Sequence, residues 1–419
     1  MGEGMLDYGI IGNCKTCALV KSDASIDWFC FPTFSSPSVF ARLLDTERGG
    51  TLRITPVGNY ACKQRYLPNT AILETTFTRR TDAFRIIDFF PRYRHHRLVR
   101  QNKLFRIIIP LKGTPRFRLT YDPRPGYAKR KARSQWRDGV YHTVAGEHEI
   151  TLKTNLSQAA IAGEECVLRS TKFLVCGAAD DTHYSVRRCM QLLDATQRYW
   201  ERWVETLITP QQHRPLIIRS AITLKLLTYS NTGAILAAAT TSIPEVVGTS
   251  RTFDYRHCWV RDAAFAVDAL KKIGREYEPK KLIAFIMKLA MENDHVQILY
   301  GIEGETRLRE RSLGHLAGFK GSRPVRIGNA AYNQEQHDIY GELIDILYLY
   351  YAYYAYETMG RKQWRFLSWL VNQIKAKWER KDSGIWEFRG KHRHYLFSKL
   401  MCWVGVDRAV KLAQHYGKD

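Results

Sequence analysis

The sequence has no long run of apolar residues. Although 45% of its 419 residues are hydrophobic, no stretch reaches the length of about 18 apolar residues that suggests a membrane span. The first residues, MGEGMLDYGIIGNCK, also lack the charged start and apolar core of a secretory signal peptide. We therefore expect no membrane partner.

Cysteines are few and show no pairing pattern. The nine cysteines are an odd number and are scattered along the chain, which argues against a disulfide framework and for reduced thiols in the cytoplasm. Cys14 and Cys17 form a single CKTC, but no second pair follows at the spacing of a zinc site. A GxxxxGK[ST] phosphate loop is also missing. We expect no metal ion and no cofactor.

Acidic residues are outnumbered by basic ones. The chain carries 64 Lys and Arg against 41 Asp and Glu, a formal net charge of +23. A basic excess can indicate contact with nucleic acid. Here the cations are spread along the chain, and the densest run, Arg124 to Arg137, is typical of an exposed loop. We therefore favour a solvated basic surface and predict no nucleic-acid partner.

The first half of the chain shows little helical periodicity. Short segments rich in β-branched and aromatic residues, such as TLRITPVG, AILETTFTRR and KLFRIIIPLKG, alternate with Gly, Pro, Asn and Asp. They predict a large antiparallel β-sandwich. Trp200, Trp203 and Leu207 then share one face of a helix over Asp194 to Ile208. The predicted layout is a β domain over 1–190, a helical linker over 191–214 and a helical domain over 215–419.

The second half is predicted to be α-helical, with long connections at one end. Amphipathic periodicity predicts helical segments near 216–232, 259–273, 279–293, 333–357, 362–379 and 396–414. Short and long connections alternate, and the long ones cover roughly 233–258, 294–332 and 380–395. In an up-and-down array every second connection lies at the same end. Long loops usually carry function, so this shared end is the predicted active face.

The first long loop ends in FDYRHCWVRDAAF, which contains Trp259, Arg261 and Asp262. A guanidinium and a carboxylate can together hold neighbouring sugar hydroxyls, and a tryptophan offers an apolar surface to a sugar ring. The alternative is an aspartate that stabilises the N-terminal end of a helix, with the arginine in a surface ion pair.

The second long loop is rich in glycine and in charges of both signs. Five of its charged or titratable side chains are candidates to face a cleft: Glu303, Glu305, His315, Arg323 and Arg326. A solvated glycine-rich loop is an equally good interpretation of each one taken singly.

The third long loop contains DSGIWEFRG, in which Glu387 lies between Trp386 and Phe388. Aromatic neighbours would remove water from the carboxyl group and raise its pKa. A carboxyl group of that kind is the general acid of glycoside hydrolysis. The alternative is an exposed glutamate on a turn.

These motifs together resemble glycoside hydrolase family 15, the prokaryotic glucoamylase-like enzymes and trehalases. The opening DYGIIGNCKTCALVKSDASIDWFCFPTFSSPSVFARLLD is similar to the trehalase-like N-terminal pattern. The segments RTFDYRHCWVRDAAF, GFKGSRPVRIGNAAYNQEQHDIYGELID and SGIWEFRGKHRHYLFSKLMCWVGVDRAVKLA are similar to the family's barrel motifs, in the family's order.

The resemblance implies a β-sandwich, a helical linker and an (α/α)₆ barrel. It also implies that the chain hydrolyses terminal α-glucosidic bonds with inversion. Glu387 matches the general acid, and Arg261 and Asp262 match the pair that grips the non-reducing glucose. The full set of expected substrate-binding residues is Tyr255, Trp259, Arg261, Asp262, Arg326, Trp386 and Arg389. The expected partner is an α-glucoside, either trehalose or a malto-oligosaccharide.

One feature departs from the family pattern. An inverting enzyme needs a second carboxylate about 6.5–9.5 Å from the acid, and the family's base lies near the end of the barrel, beyond the last helical segment found here. We therefore expect only half of a barrel and little hydrolysis by this chain alone. Three explanations are a fragment, which we favour, a complementing second polypeptide or oligomer, and a base supplied by Glu303 or Glu305. A carbohydrate-binding protein without catalysis is the alternative function.

Overall fold

The computed structural model describes residues 6–95, 97–355 and 357–418. Residues 1–5, where the predicted β domain begins and on which the signal-peptide prediction partly depends, lie outside this range.

The N-terminal half consists of β-strands, as its alternating pattern predicted. In chain order the strands are β1 (Tyr8–Gly12), β2 (Cys17–Lys21), β3 (Ile26–Cys30), β4 (Ser38–Phe40), β5 (Thr51–Pro56), β6 (Ala61–Tyr66), β7 (Leu73–Thr78), β8 (Ala83–Phe89), β9 (Arg92–His95), β10 (Arg97–Arg100), β11 (Lys103–Lys112), β12 (Arg116–Asp122), β13 (Arg133–Arg137), β14 (Val140–Ala145), β15 (His148–Thr154), β16 (Glu165–Val167) and β17 (Lys172–Gly177). A short helix, α1 (Gln158–Ile161), precedes β16.

Most of these strands form two antiparallel sheets that share a core. One sheet has the order β1-β2-β3-β5-β12-β16, with β4 paired to β3, and the other has the order β13-β14-β15-β17-β11-β8-β7-β6. The shared core joins Ile11 and Phe29 of the first sheet to Phe84 and Ile108 of the second. Alternate residues of each strand point to this core because side chains in a strand have a period of two. The predicted antiparallel β domain is confirmed.

Helix α2 (Val186–Glu205) joins the β domain to the helical region. The side chain of Ser185 caps its first turn by accepting a hydrogen bond from the backbone of Arg188 at 3.2 Å. Leu192 in its first half packs on the outer face of the second sheet, and Trp200 in its second half packs against the next helix. The predicted domain limits at 190 and 215 remain predictions.

The remaining helices lie in the C-terminal half. They are α3 (Arg214–Leu226), α4 (Val260–Lys272), α5 (Tyr277–Asn293), α6 (Asp338–Tyr348), α7 (Arg361–Lys377) and α8 (Leu396–His415), with a π-helical turn (Leu349–Tyr353) after α6. Short strands β18 (Cys258–Trp259), β19 (Leu299–Tyr300), β20 (Arg311–Ser312) and β21 (Arg326–Ile327) and 3₁₀ turns (Phe319–Gly321 and Ala330–Asn333) occupy the loops. Within the described residues, no helix is both long and apolar enough to cross a membrane.

Two predicted helices are shorter than expected. The segment predicted over 216–232 ends at Leu226, because the chain turns back so that the Tyr229 N–H donates to Ala234 O at 2.7 Å. The segment predicted over 333–357 becomes helical only at Asp338. Asn333 ends a 3₁₀ turn and Gln334 is extended. Gln334, Glu335 and His337 bond to the segment around Glu387, and these tertiary contacts outweigh their helical preference.

A buried arginine fixes the β domain to the loop before α4. Arg256 is 2% exposed, and its guanidinium forms a bidentate pair with Asp254 at 2.9 and 2.8 Å. The same group donates to the Tyr127 hydroxyl at 2.8 Å and to Ser36 O at 3.1 Å, both in the β domain. The segment that leads into α4 is therefore held from both sides.

Candidate active site

The three long loops of the helical region meet, as the alternation of connection lengths predicted. Arg389 donates to Glu310 at 2.7 Å, Arg326 donates to Ser250 O at 2.8 Å, and the Gln334 side chain donates to Glu387 O at 3.3 Å. Together these loops surround a cavity of about 190 Å³. Its lining residues are Arg251, Phe253, Ala331, Gln334, Trp386, Glu387, Phe388 and Arg389.

Glu387 lies on a tight turn in the wall of this cavity. Its N–H donates to Gly384 O at 3.1 Å, and its backbone has a φ of +57°, which residues with a side chain adopt rarely. Gly384 has a φ of +65°, and a Cβ at that position would lie 2.6 Å from the ring of Tyr395. Unusual backbone conformations of this kind concentrate at functional sites.

The carboxyl group of Glu387 is half-buried, and burial raises its pKa from 4.5 to about 7. The guanidinium of Arg261 opposes this rise, and the carboxylate of Asp262 adds to it. Glu387 therefore lies within electrostatic reach of both residues that the resemblance assigns to glucose binding. At neutral pH a large fraction of this carboxyl group carries a proton, as a general acid requires.

The two aromatic neighbours of Glu387 remain largely exposed. Trp386 is 68% exposed and Phe388 is 49% exposed, and the Phe388 ring stacks on Tyr395 with 5.9 Å between ring centroids. The predicted removal of water from the carboxyl group is found all the same, since burial raises its pKa, although both rings keep much of their own surface in solvent. They line the entrance of the cavity, where an exposed indole is available to contact a sugar ring.

Arg261 and Asp262 diverge at the start of α4. Arg261 is 9% exposed and forms an ion pair with Asp338 on α6 at 2.7 Å, and it also donates to Gln336. Asp262 is exposed on the first turn. Consecutive residues on a helix do not face each other, but the Arg261 guanidinium still opposes the rise in the pKa of Asp262 that burial causes. The two charges therefore interact, and their joint role in holding sugar hydroxyls stays a prediction. Both residues also act electrostatically on Glu387, Arg261 lowering its pKa and Asp262 raising it.

Trp259 and Tyr255 form the layer beneath the cavity. Trp259 is 2% exposed, so its ring is part of the core and is not accessible to a sugar. This corrects the expectation that it contacts the substrate directly. Its ring packs against Tyr255 with 5.9 Å between centroids. Burial raises the pKa of Tyr255 to about 12, with the nearby carboxylate of Glu387 contributing.

Arg326 and Arg389 share one carboxylate at the edge of the cavity. Glu310 pairs with Arg326 at 3.1 Å and with Arg389 at 2.7 Å. Both guanidinium carbons lie over the ring of Phe253, at 5.0 and 4.6 Å from its centroid. These two predicted binding residues therefore belong to one rigid group that borders the site.

The other charged candidates of the second loop have different contacts. His315 bonds to Tyr127 O at 2.7 Å in the β domain, and Arg323 donates to Ala317 O at 3.2 Å. Glu303 accepts a hydrogen bond from Tyr229, and Glu305 accepts one from the backbone of Glu303 at 3.0 Å. These contacts fix the loop to the β domain and to the end of α3. They correct the expectation that these side chains face the same cleft as Glu387.

The sequence analysis missed the acidic residues of α6. Asp338 and Glu342 are separated by one helical turn, and burial raises the pKa of Glu342 to about 7. Asp382, 1% exposed, accepts a hydrogen bond from His337 N at 2.9 Å and so ties the Glu387 turn to the start of α6. Two carboxylates four residues apart in a mostly apolar helix, whose third acidic residue is Asp345, were the available signal.

No metal site is evident in the part of the chain that the structure describes. No three His, Cys, Asp or Glu side chains converge there as metal ligands. Cys14 and Cys17 are buried free thiols.

Comparison with known proteins gives consistent matches along the chain. The model of the glycosyl hydrolases family 15 matches residues 211–419, and that of the trehalase-like N-terminal domain matches residues 5–167. A trehalase of Mycolicibacterium smegmatis is 34% identical over 98% of this chain and 66% of its own length. Trehalase 2 of Sulfolobus acidocaldarius is 32% identical over 98% of this chain and 72% of its own length.

The chain spans about two thirds of the length of the curated relatives it matches. Among solved structures, a bacterial glucoamylase complexed with acarbose matches with a TM-score of 0.57 and 13% identity. That match covers 99% of this chain and 68% of the glucoamylase. At this identity it supports a shared fold.

Proposed function

The chain belongs to the glycosyl hydrolases family 15, and on this premise we propose that it binds a terminal α-glucosyl residue in the cavity beside Glu387. The observation that carries the proposal is the position of Glu387, half-buried and with its pKa raised to about 7, within electrostatic reach of Arg261 and Asp262. That combination supports general acid catalysis of glycosidic bond cleavage.

In the proposed reaction, Glu387 donates its proton to the glycosidic oxygen as the bond between that oxygen and the anomeric carbon breaks. A water molecule attacks the anomeric carbon from the opposite face and loses a proton to a second carboxylate, so the configuration inverts. The exposed carboxylate of Asp262 accepts hydrogen bonds from glucose hydroxyls. Arg261, held by Asp338 at 2.7 Å, positions positive charge near the reacting centre, and the ring of Trp386 packs on the sugar.

We propose trehalose as the first substrate to test and malto-oligosaccharides as the second. The relatives at 30–34% identity that cover nearly the whole chain are named trehalases, whereas the glucoamylase match is at 13% identity. The resemblance places the second carboxylate in a later part of the family's barrel. Binding of the sugar does not require that carboxylate, so sugar binding is the more direct test.

The experiment compares the parent with Glu387→Gln and with Glu292→Gln, an exposed control on α5. Calorimetric titration with trehalose and maltose measures binding, and NMR identifies the anomer of any glucose released. We expect Glu387→Gln to retain binding and to lose about 10²–10⁴-fold in hydrolysis. With inversion, the parent forms β-glucose from the attacked residue, so trehalose first gives equal amounts of β- and α-glucose.

A Glu387→Gln variant as active as the parent would remove Glu387 from the role of acid. Absence of binding to both sugars by the parent would refute the sugar site itself. Binding with no glucose release, unchanged in Glu387→Gln, would instead support a carbohydrate-binding function without catalysis.

A further inference from the structure

A second cavity lies where the β domain, the linker helix and the helical region meet. Its volume is about 280 Å³, and it shares no lining residue with the cavity around Glu387. Cys14, Arg92 and Leu98 come from the β domain, Tyr199 and Trp203 from α2, and the remainder from α3, α5 and the residues beside these two helices. The full lining is Cys14, Arg92, Leu98, Tyr199, Trp203, Lys225, Thr228, Tyr229, Ser230, Arg275, Tyr277, Glu278 and Lys281.

This lining carries a large excess of positive charge. Arg92, Lys225, Arg275 and Lys281 face the cavity, and Glu278 is the one carboxylate among the lining residues. Glu278 pairs with Lys225 and, at 3.2 Å, with Arg275. These two cations hold the pKa of Glu278 at about 2, so Glu278 is ionised at neutral pH and its negative charge is already paired with them. Several cations therefore share one anion in a partly enclosed space, which is unfavourable without a further negative charge.

Arg92 provides the second, independent observation. Its side chain is buried, with the residue 1% exposed, and Nη1 donates to Asn13 O at 2.7 Å. Its Nε has no hydrogen-bond partner among the described residues, and the same holds for the hydroxyl of Ser230. A buried donor without an acceptor costs free energy. Both residues line the cavity, so an acceptor bound there would satisfy them.

The N-terminal end of α5 adds to this preference for an anion. The helix begins at Tyr277 and runs to Asn293, and no side chain caps its first turn. The positive end of its dipole lies at residues that line the cavity, and this end offers few N–H donors because Pro279 has none. Lys281, one turn into α5, donates to Ser230 O at 2.9 Å.

We propose that this cavity, the junction cavity, binds a small anion of the phosphate type, either free phosphate or the phosphate of a phosphorylated sugar. Its volume is at the lower limit of small-molecule sites, about 300 Å³, which admits a phosphate or a phosphorylated monosaccharide. The cations and the Ser230 hydroxyl recognise the phosphate oxygens, and the rings of Tyr199, Trp203 and Tyr277 offer an apolar wall to an attached sugar. Since the lining comes from both halves of the molecule, the bound anion stabilises their association.

The test measures binding of inorganic phosphate and of glucose 6-phosphate by calorimetry and by thermal unfolding, at constant ionic strength. The key variant is Lys281→Met, because Lys281 is only partly buried and its replacement spares the fold. Its matched control is Lys280→Met. Lys280 is exposed, pairs with Glu357 and does not line the cavity.

We expect saturable binding by the parent that Lys281→Met weakens at least about tenfold, as loss of a charge-assisted hydrogen bond requires, while Lys280→Met leaves it unchanged. Tighter binding of glucose 6-phosphate than of phosphate assigns the site to a phosphorylated sugar, and equal affinity assigns it to the free anion. Lack of saturable binding, or equal loss in both variants, overturns the proposal. Trehalose binding, measured in parallel, reports separately on the Glu387 site.

Discussion

Replacing Glu387 by glutamine should stabilise the protein, and the gain should grow with pH. The carboxyl pKa is 4.5 ordinarily and about 7 in the folded chain. The native state therefore binds more protons than the unfolded state between these pH values, and the Glu387 contribution to stability falls as pH rises through this window. Above it, ionising the half-buried group costs about 3 kcal/mol, at about 1.4 kcal/mol per pKa unit. Glutamine carries no charge and avoids this cost.

Urea unfolding of the parent and of Glu387→Gln, followed by tryptophan fluorescence at pH 5 and pH 8, measures this effect. At pH 5 the free energies of unfolding should differ by less than about 1 kcal/mol, since the parent carboxyl group is largely protonated. At pH 8 the variant should be more stable by about 2–3 kcal/mol. Gains of this sign are common at sites selected for activity and not for stability.

The control is Glu292→Gln, which removes an exposed carboxylate from the surface of α5. Its effect should be small and nearly equal at the two pH values. A Glu387→Gln variant that is equally stable relative to the parent at both pH values, or less stable at pH 8, would refute the claim that burial raises the pKa of Glu387. The acid role would then lose its electrostatic basis.

Two further substitutions test the supports of the site. Arg261→Met leaves Asp338, which is 0% exposed, without its cation. It should lower the free energy of urea unfolding by about 3–5 kcal/mol. A loss below about 1 kcal/mol would contradict a stabilising buried ion pair. Gly384→Ala places a methyl group 2.6 Å from the Tyr395 ring at a φ of +65° and should cost about 1–3 kcal/mol. It should also displace the turn, so that adding Glu387→Gln no longer gives a pH-dependent gain; an undiminished gain would show that the turn tolerates the methyl group.

The division of the chain and the position of its active face were predictable because both depend on local patterns. Strand alternation in the first half and helical periodicity in the second arise from side chains close in sequence. The alternation of long and short connections was enough to predict that the loops containing Arg326 and Glu387 lie close together. It required no knowledge of which helices pack against each other.

The partners of individual site residues were not predictable in the same way. Arg261 pairs with Asp338, 77 positions further along the chain, and this pairing depends on how α4 and α6 pack. The burial of Trp259 likewise follows from the strand pairing of Cys258–Trp259 with Leu299–Tyr300. The residues before Asp338 favour a helix in isolation, but their extended contacts hold the Glu387 turn in place.

The buried guanidinium of Arg256 has a consequence for any attempt to divide the molecule. Four of its six hydrogen-bond acceptors belong to Cys30, Phe34, Ser36 and Tyr127 of the β domain, so a helical half expressed without the β domain would leave a cation in the interior with too few acceptors. The part of the Glu387 cavity affected first would be the segment that contains Phe253 and Tyr255, because it is next to Arg256 in the chain. Substitutions at Tyr127 or Ser36 in the β domain should thus alter the proposed sugar site from a distance, through Arg256.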